Sequence, residues 1–91
     1  MIVAHISAKA QVMKIILYST DHCSLCNQAE DLIHQTLAGQ HYRLETVDIS
    51  QSQELIDKYG VRIPVISLDK SSEYELGWPF DHNQLLAFIE G

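Results

Sequence analysis

The chain has 91 residues, of which 46% are apolar and 20% charged, with four glycines and two prolines. This length and composition are typical of one small globular domain and exclude collagen-like, low-complexity and disordered chains. Twelve acidic residues against six basic ones give a net charge of −6, which disfavours binding to the phosphate backbone of nucleic acids.

The first twelve residues alternate apolar and polar side chains and end just before Met13. The alternation predicts either an extra edge strand or an extension ahead of a domain that spans 13–91. This segment has one lysine and no arginine, and lacks the charged start and apolar block of a signal peptide. No apolar run approaches the roughly 18–20 residues of a membrane helix. We therefore expect a cytoplasmic protein with no membrane and no nucleic-acid partner.

The first half of the domain predicts strand, helix and strand. Residues 14–19 form a short apolar run typical of a buried strand. After Cys23, apolar side chains recur at the spacing of one helix face, and Gly39 is placed to end that helix. The members of this apolar stripe are Leu25, Ala29, Leu32, Ile33 and Leu37. Residues 42–49 then alternate like a less buried strand.

The next segments predict a short helix and a hairpin. Ser50 forms a capping-box pattern with the glutamine three positions later, and Gly60 is placed to end this helix. Residues 65–69 and 73–76 are strand-like runs joined by a turn-like segment at 70–72. Because their connection is short, the two strands must pair in antiparallel orientation.

The last predicted element is a helix that starts at Asp81, with Gln84 three positions later. The element order is therefore strand, helix, strand, helix, strand, strand, helix. The first two strands are joined by a long helix and must be parallel, whereas the last two must be antiparallel. These features predict an α/β fold with a four-stranded mixed sheet flanked by three helices.

Cys23 and Cys26 form a C-x-x-C pair at the start of the first helix. Free backbone N–H groups and the positive end of the helix dipole stabilise a thiolate there, so Cys23 is the predicted nucleophile. Cys26 lies one helical turn later, close enough to attack a mixed disulfide formed at Cys23. The pair therefore predicts thiol–disulfide exchange, with Cys26 as the resolving thiol and no bound metal or other cofactor.

The same pair leaves three other interpretations open. Two thiolates on a strand-to-helix loop can hold a soft monovalent metal, as in a metal carrier. The cysteines could also pack as small hydrophobic side chains. In a third interpretation, the protein binds a protein partner around Pro64 and catalyses no reaction. A closed zinc site is disfavoured, because the five scattered histidines supply no obvious second pair of ligands.

Two motifs carry a resemblance to a known family. The run Tyr-Ser-Thr-Asp-His-Cys-Ser-Leu-Cys at 18–26 follows a strand, and Val-Arg-Ile-Pro-Val at 61–65 opens a later one. With the element order, these motifs resemble the thioredoxin-fold oxidoreductases and, among them, the glutaredoxin-like branch, over residues 14–89. The Trp-Pro-Phe-Asp run at 78–81 is similar to that of bacterial glutaredoxin-like proteins. The resemblance implies a disulfide-containing protein or a glutathione mixed disulfide as substrate.

The resemblance also implies a substrate site around the cysteines. It implies that the Ile63–Pro64 bond is cis and faces Cys23, with the neighbouring backbone pairing to a peptide or to glutathione. A trans proline opening a strand is the alternative. The substrate-binding residues predicted in this way are Arg62, Ile63, Pro64, Trp78 and Asp81.

For three of these residues, a particular contact or an alternative structural role can be stated. Arg62 could meet a substrate carboxylate. Asp81 could contact a glutathione amine, or could only cap the last helix. Trp78 could line a substrate groove or fill the core below the hairpin.

The sequence departs from the family pattern beside the cysteines. Ser24 and Leu25 stand where glutaredoxins usually have proline and an aromatic residue, and His22 stands where thioredoxins have tryptophan. A protonated His22 would lower the pKa of the Cys23 thiol, whereas Asp21 would oppose that effect, and an exposed loop side chain is the alternative role. We expect a monomer re-reduced by an external thiol system, for which glutathione is one candidate.

Overall fold

The structure is a computed structural model that describes residues 13–68 and 74–90. In chain order its elements are β1 (Met13–Ser19), α1 (Ser24–Thr36), β2 (Tyr42–Asp48), a 3₁₀ turn (Ile49–Gln51), α2 (Gln53–Tyr59), β3 (Val65–Ser67), β4 (Glu75–Gly77) and α3 (His82–Glu90). The predicted order of strands and helices is confirmed. No helix within the described ranges is long and apolar enough to cross a membrane. The strand or extension predicted at 1–12 and the turn predicted at 70–72 lie outside the described residues.

The four strands form one mixed sheet in the order β2-β1-β3-β4, which confirms the predicted architecture. β1 is parallel to β2, and both the β1–β3 and β3–β4 pairs are antiparallel. Ser19 lies opposite Asp48 at the ends of β1 and β2, and Tyr18 lies opposite Val65 at the start of β3. The segments after β1 and before β3 therefore meet at one edge of the sheet, which we call the loop edge.

Both faces of the sheet are covered, which explains why β1 is apolar throughout. Successive side chains of a strand point to opposite faces, so Ile15 and Ile16 enter different halves of the core and both are fully buried. The core on the side of α1 and α3 consists of Ile15, Leu17, Ala29, Ile33, Leu37, Ile66, Phe80, Leu85 and Phe88. The core on the side of α2 consists of Ile16, Tyr18, Ile49, Tyr59 and Val65.

The first helix differs from its prediction at one end. The expectation that Leu25 faces the core is wrong, because this side chain is 46% exposed. Cys26 takes the buried place instead and continues the inward row formed by Ala29 and Ile33. The helix ends at Thr36, and Gly39 then adopts a left-handed conformation with φ +85°, which glycine tolerates without steric cost.

The second helix starts later than predicted. Ser50 is not its N-cap, because the Asp48 carboxylate accepts hydrogen bonds from the Ser50 backbone N–H at 2.9 Å and from its hydroxyl at 2.7 Å. These bonds cap the start of the 3₁₀ turn, and Ser52 caps α2 by accepting from the Leu55 N–H at 3.3 Å. In the hairpin, β3 ends at Ser67, two residues before the predicted end.

Candidate functional site

Cys23 and Cys26 lie at the N-terminus of α1 and are joined by a disulfide bond, with their Cα atoms 5.2 Å apart. Cys23 is the N-cap residue and has an extended backbone. Its Sγ accepts a hydrogen bond from the Cys26 backbone N–H at 3.1 Å. This N–H is one of those that the first turn of a helix leaves without a helical partner. The same donor would stabilise a thiolate on Cys23 once the disulfide is reduced.

The two sulfur-bearing side chains differ in access to solvent. Cys23 is half-buried, whereas Cys26 is 4% exposed and faces the core. A disulfide that approaches from solvent therefore meets Cys23 first. Within the described parts of the chain, no three His, Cys, Asp or Glu side chains are grouped so that they could hold a metal ion.

His22 immediately precedes the N-cap residue of α1 and has an uncommon backbone conformation. Its backbone is left-handed, with φ +60°, and its side chain is exposed. A left-handed conformation costs a residue other than glycine roughly 1–2 kcal/mol, although histidine is found there more often than most residues. Cys23 follows this residue as the N-cap, while the effect of His22 on the thiol stays a prediction.

The loop between α2 and β3 reaches the same edge of the sheet. The Ile63–Pro64 peptide bond is cis in the structure. The Tyr59 carbonyl accepts from the N–H groups of Arg62 at 2.7 Å and Ile63 at 3.1 Å, and the Pro64 carbonyl accepts from the Trp78 N–H at 3.0 Å. Because Pro64 precedes the strand that pairs with the end of β1, this loop and the cysteine loop share the loop edge. The fold thus brings the segment at 63–64 and the cysteine pair to one side of the molecule.

Arg62 is paired within the chain. Its Nη2 lies 2.6 Å from Oε1 of Glu75 on β4, and its Nη1 donates to the Lys58 carbonyl at 3.3 Å. The other Glu75 oxygen accepts from the Tyr59 hydroxyl at 2.6 Å and lies 3.9 Å from Lys58 Nζ. We call Lys58, Tyr59, Arg62 and Glu75 the Glu75 cluster. The guanidinium predicted to meet a substrate carboxylate already binds one of the protein's own.

The Glu75 cluster is partly withdrawn from water. Burial alone would raise the pKa of Glu75, but hydrogen bonds from Tyr59 and Arg62 outweigh it and hold the pKa below its usual value. Burial is also the main reason that the pKa of Tyr59 is raised, and the bond to Glu75 adds to it. The Tyr59 ring stacks on Tyr18, with centroids 4.2 Å apart. Sequence reasoning missed Glu75, since strand alternation indicates its face of the sheet but not its partners.

Trp78 packs against the core and also lines a groove, whose use by a substrate stays a prediction. It is half-buried against the core on the α1 side, where its ring meets Phe80 edge to face at 5.1 Å. It also lines an open groove of about 360 Å³ along α1, and neither cysteine lines this groove. The other lining residues are Gln28, Asp31, Leu32, Gln35, Phe80 and Asp81.

Asp81 caps α3 in a reciprocal capping box. Its Oδ1 accepts from the Gln84 backbone N–H at 2.8 Å, and Gln84 Oε1 accepts from the Asp81 N–H at 2.9 Å. The Asp81 carbonyl begins the helical ladder by accepting from Leu85 N–H at 2.9 Å. The carboxylate thus has a structural role that accounts for its position.

Comparisons with known proteins give the family and the fold of the chain. A family model described as Glutaredoxin-like domain (DUF836) matches residues 14–90. A structural-genomics target protein from X. campestris is 37% identical, with a TM-score of 0.71 over 84% of this chain and 95% of that chain. Thioredoxin 1 from Thermosipho africanus is 23% identical, with a TM-score of 0.60 over 86% of this chain and 91% of that one.

A mutant thioredoxin from Halobacterium salinarum is also similar, with 21% identity and a TM-score of 0.62 over 91% of this chain and 76% of that one. No curated protein matches the chain. The two thioredoxins are similar in fold, and the predicted thioredoxin fold is confirmed.

Proposed function

Because this chain belongs to the family of glutaredoxin-like domains (DUF836), we propose that it is a thiol–disulfide oxidoreductase. The family and the thioredoxin fold, with the two cysteines close together, give the coarser conclusion of a redox-type role. The single observation that carries the finer proposal is the position of the pair. Cys23 caps α1 and accepts a helix N–H, while Cys26 lies buried one turn behind it.

The first step is attack on a substrate disulfide. In the reduced protein, the Cys23 thiolate attacks one sulfur of the substrate, so that a Cys23–substrate disulfide forms as the substrate S–S bond breaks. The other substrate sulfur leaves as a thiolate and takes a proton from solvent. The helix N–H groups at the start of α1 favour this step because they stabilise the attacking thiolate.

The second step releases the substrate. Cys26 loses its proton to solvent and attacks Cys23 Sγ, the Cys23–Cys26 disulfide forms, and the second substrate thiolate leaves and is protonated. In total two electrons pass from the cysteine pair to the substrate. A pair of external thiols, glutathione or a thioredoxin-type system, then returns two electrons to the protein. No bound cofactor takes part in these steps.

The loop at 63–64 is proposed to align the substrate. Its position at the loop edge, beside the cysteine loop, would allow the backbone next to Pro64 to pair with an extended peptide as an added strand. The substrate is then a disulfide-containing protein or a glutathione mixed disulfide. We expect the protein to act as a cytoplasmic monomer.

The proposal is tested by single-turnover reaction of the pre-reduced protein with excess bis(2-hydroxyethyl) disulfide, followed by alkylation and mass spectrometry. The wild type should lose both thiols and form the intramolecular disulfide. Cys26→Ser should stop at one mixed disulfide on Cys23, because no resolving thiol remains. Cys23→Ser is the matched control and should react much more slowly, since its remaining thiol is buried.

Three outcomes would count against the proposal. Equal reactivity of the two single variants would show that Cys23 is not the preferred nucleophile. Near-stoichiometric metal in protein purified under reducing conditions, together with slow reaction at both cysteines, would favour the two-thiolate metal carrier instead. Undiminished partner binding in a variant with both cysteines replaced by serine would favour a binding module.

A further inference from the structure

We propose that Glu75 is a positioning residue that sets substrate specificity, because it holds Arg62 away from the substrate and thereby disfavours anionic disulfides such as glutathione disulfide. The inference rests on the proposed function, since it concerns which disulfides Cys23 reduces. Glutathione carries two carboxylates and one ammonium group. Its recognition therefore gains from a cation that is free to bind a carboxylate.

Both terminal nitrogens of Arg62 are already used. Nη2 lies 2.6 Å from the Glu75 carboxylate, and Nη1 donates to the Lys58 carbonyl at 3.3 Å. The guanidinium carbon also lies 5.3 Å from the centre of the Tyr59 ring. A substrate carboxylate would have to compete with these contacts to bind Arg62.

Glu75 is a strong competitor because the fold holds it in place. Its side chain is only 12% exposed, and its backbone belongs to β4, where it pairs with Ser67. The Tyr59 hydroxyl donates to its second oxygen at 2.6 Å, so that both carboxylate oxygens have donors. A partly buried, fixed carboxylate needs no further ordering to bind Arg62, whereas a substrate carboxylate must lose freedom to do so.

The other described lysines and arginines offer little replacement. Lys14 and Arg43 lie opposite each other near the starts of β1 and β2, at the end of the strands away from the loop edge. Lys58 is also in the Glu75 cluster, with its Nζ 3.9 Å from the carboxylate and 5.1 Å from the Tyr59 ring centre. Asp81, the group considered for the glutathione ammonium, caps α3.

The test compares one neutral and one anionic disulfide in the single-turnover assay. Pre-reduced protein at about 0.15 M salt, which screens distant charges beyond roughly 8 Å, reacts with bis(2-hydroxyethyl) disulfide or with glutathione disulfide. The quantity measured is the ratio of the glutathione disulfide rate to the neutral disulfide rate. Because both rates depend equally on the reactivity of Cys23, the ratio reports recognition of the substrate and not a general loss of structure.

Glu75→Gln should raise this ratio about threefold, the size expected from one partly exposed ion pair made available to the substrate. The amide oxygen can still accept from Tyr59, so the cluster keeps its packing while Arg62 is released. Glu90→Gln is the matched control, because it removes the same charge from the far end of α3 and should leave the ratio unchanged.

Two further variants make the inference specific to Arg62. Adding Arg62→Met to Glu75→Gln should return the ratio to that of the wild type. Arg62→Met alone should leave the ratio unchanged, because in the wild type this residue does not bind the substrate, and this variant tests the inference even if Glu75→Gln fails to fold.

The inference is overturned if Glu75→Gln leaves the ratio unchanged while neutral disulfide is still reduced, or if the gain persists in the double variant. A lower ratio in Arg62→Met alone would overturn it as well, since that result would mean that Arg62 already favours glutathione disulfide in the wild type. Failure of the wild type to reduce either disulfide is a different result, because it would overturn the proposed function and the inference with it.

Discussion

Replacement of Asp81 separates a role in helix capping from a role in substrate binding. The side chain accepts the Gln84 N–H at 2.8 Å, while Gln84 reaches back to the Asp81 N–H at 2.9 Å. Asp81→Ala removes the first bond but leaves the second, because the second uses the backbone of residue 81. Asp81→Asn keeps an oxygen acceptor at the same place and removes only the charge.

The expected cost follows from this difference. Loss of an N-cap acceptor costs about 1 kcal/mol, and the exposure of this helix start lets water replace part of the lost bond. The loss is transmitted to the fold because α3 places Leu85 and Phe88 in the core. We therefore expect Asp81→Ala to lower the free energy of unfolding by about 1 kcal/mol, or roughly 4–8 °C in melting temperature. Asp81→Asn should lower the free energy of unfolding by only about a few tenths of 1 kcal/mol, because asparagine caps a helix nearly as well as aspartate does.

Urea denaturation of the oxidised proteins measures this difference as a shift of the midpoint at constant slope. The single-turnover ratio of glutathione disulfide to neutral disulfide is measured on the same variants and should not change in Asp81→Asn. The capping explanation would be refuted if Asp81→Asn were as unstable as Asp81→Ala. It would be incomplete if Asp81→Asn folded normally but lost about tenfold in the rate with glutathione disulfide alone.

Three further predictions concern stability and pH. Ile33→Ala, which empties a fully buried site beneath α1, should lower the free energy of unfolding by about 2–5 kcal/mol in urea denaturation, whereas Ile56→Ala, at a 38% exposed site, should cost much less. The raised pKa of Tyr59 means that its contribution to stability is complete below its usual value of 10.0 and is lost as the pH rises above that value. An ultraviolet titration of the tyrosines should therefore show a last phase that is absent in Tyr59→Phe, and an unchanged titration in this variant would contradict the assignment. The lowered pKa of Glu75 means that its contribution is present above its usual value of 4.5 and is lost as the pH falls. Acid unfolding monitored by circular dichroism should accordingly depend less on pH below 4.5 in Glu75→Gln, and identical profiles would argue against the ionised cluster.

Local patterns in the sequence determined most of the fold. The element order, the parallel first pair of strands and the antiparallel hairpin follow from hydrophobic periodicity, cap residues and connection lengths, which all act over a few residues. The placement of Cys23 and Cys26 at a helix start is equally local, and the structure agrees with it. Local patterns mispredicted the start of α2, where Ser50 and Ser52 are both able to cap a helix. Ser52 caps α2 because Asp48 uses the Ser50 N–H for a 3₁₀ turn.

The tertiary structure alone decided which side chains from distant parts of the chain meet. Leu25 fits the periodicity of a buried face, yet it is exposed, and Cys26 is buried in the row that packs on the core. Arg62 and Glu75 are 13 positions apart and meet only because the loop before β3 and the neighbouring β4 come together in the sheet. Such a pairing depends on the register between neighbouring strands. Sequence periodicity does not fix this register, because a shift of a strand by two residues leaves the same side chains on the same face. The chain's sequence thus determines that two cysteines stand at a helix start, while the packing of its strands decides which carboxylate Arg62 meets.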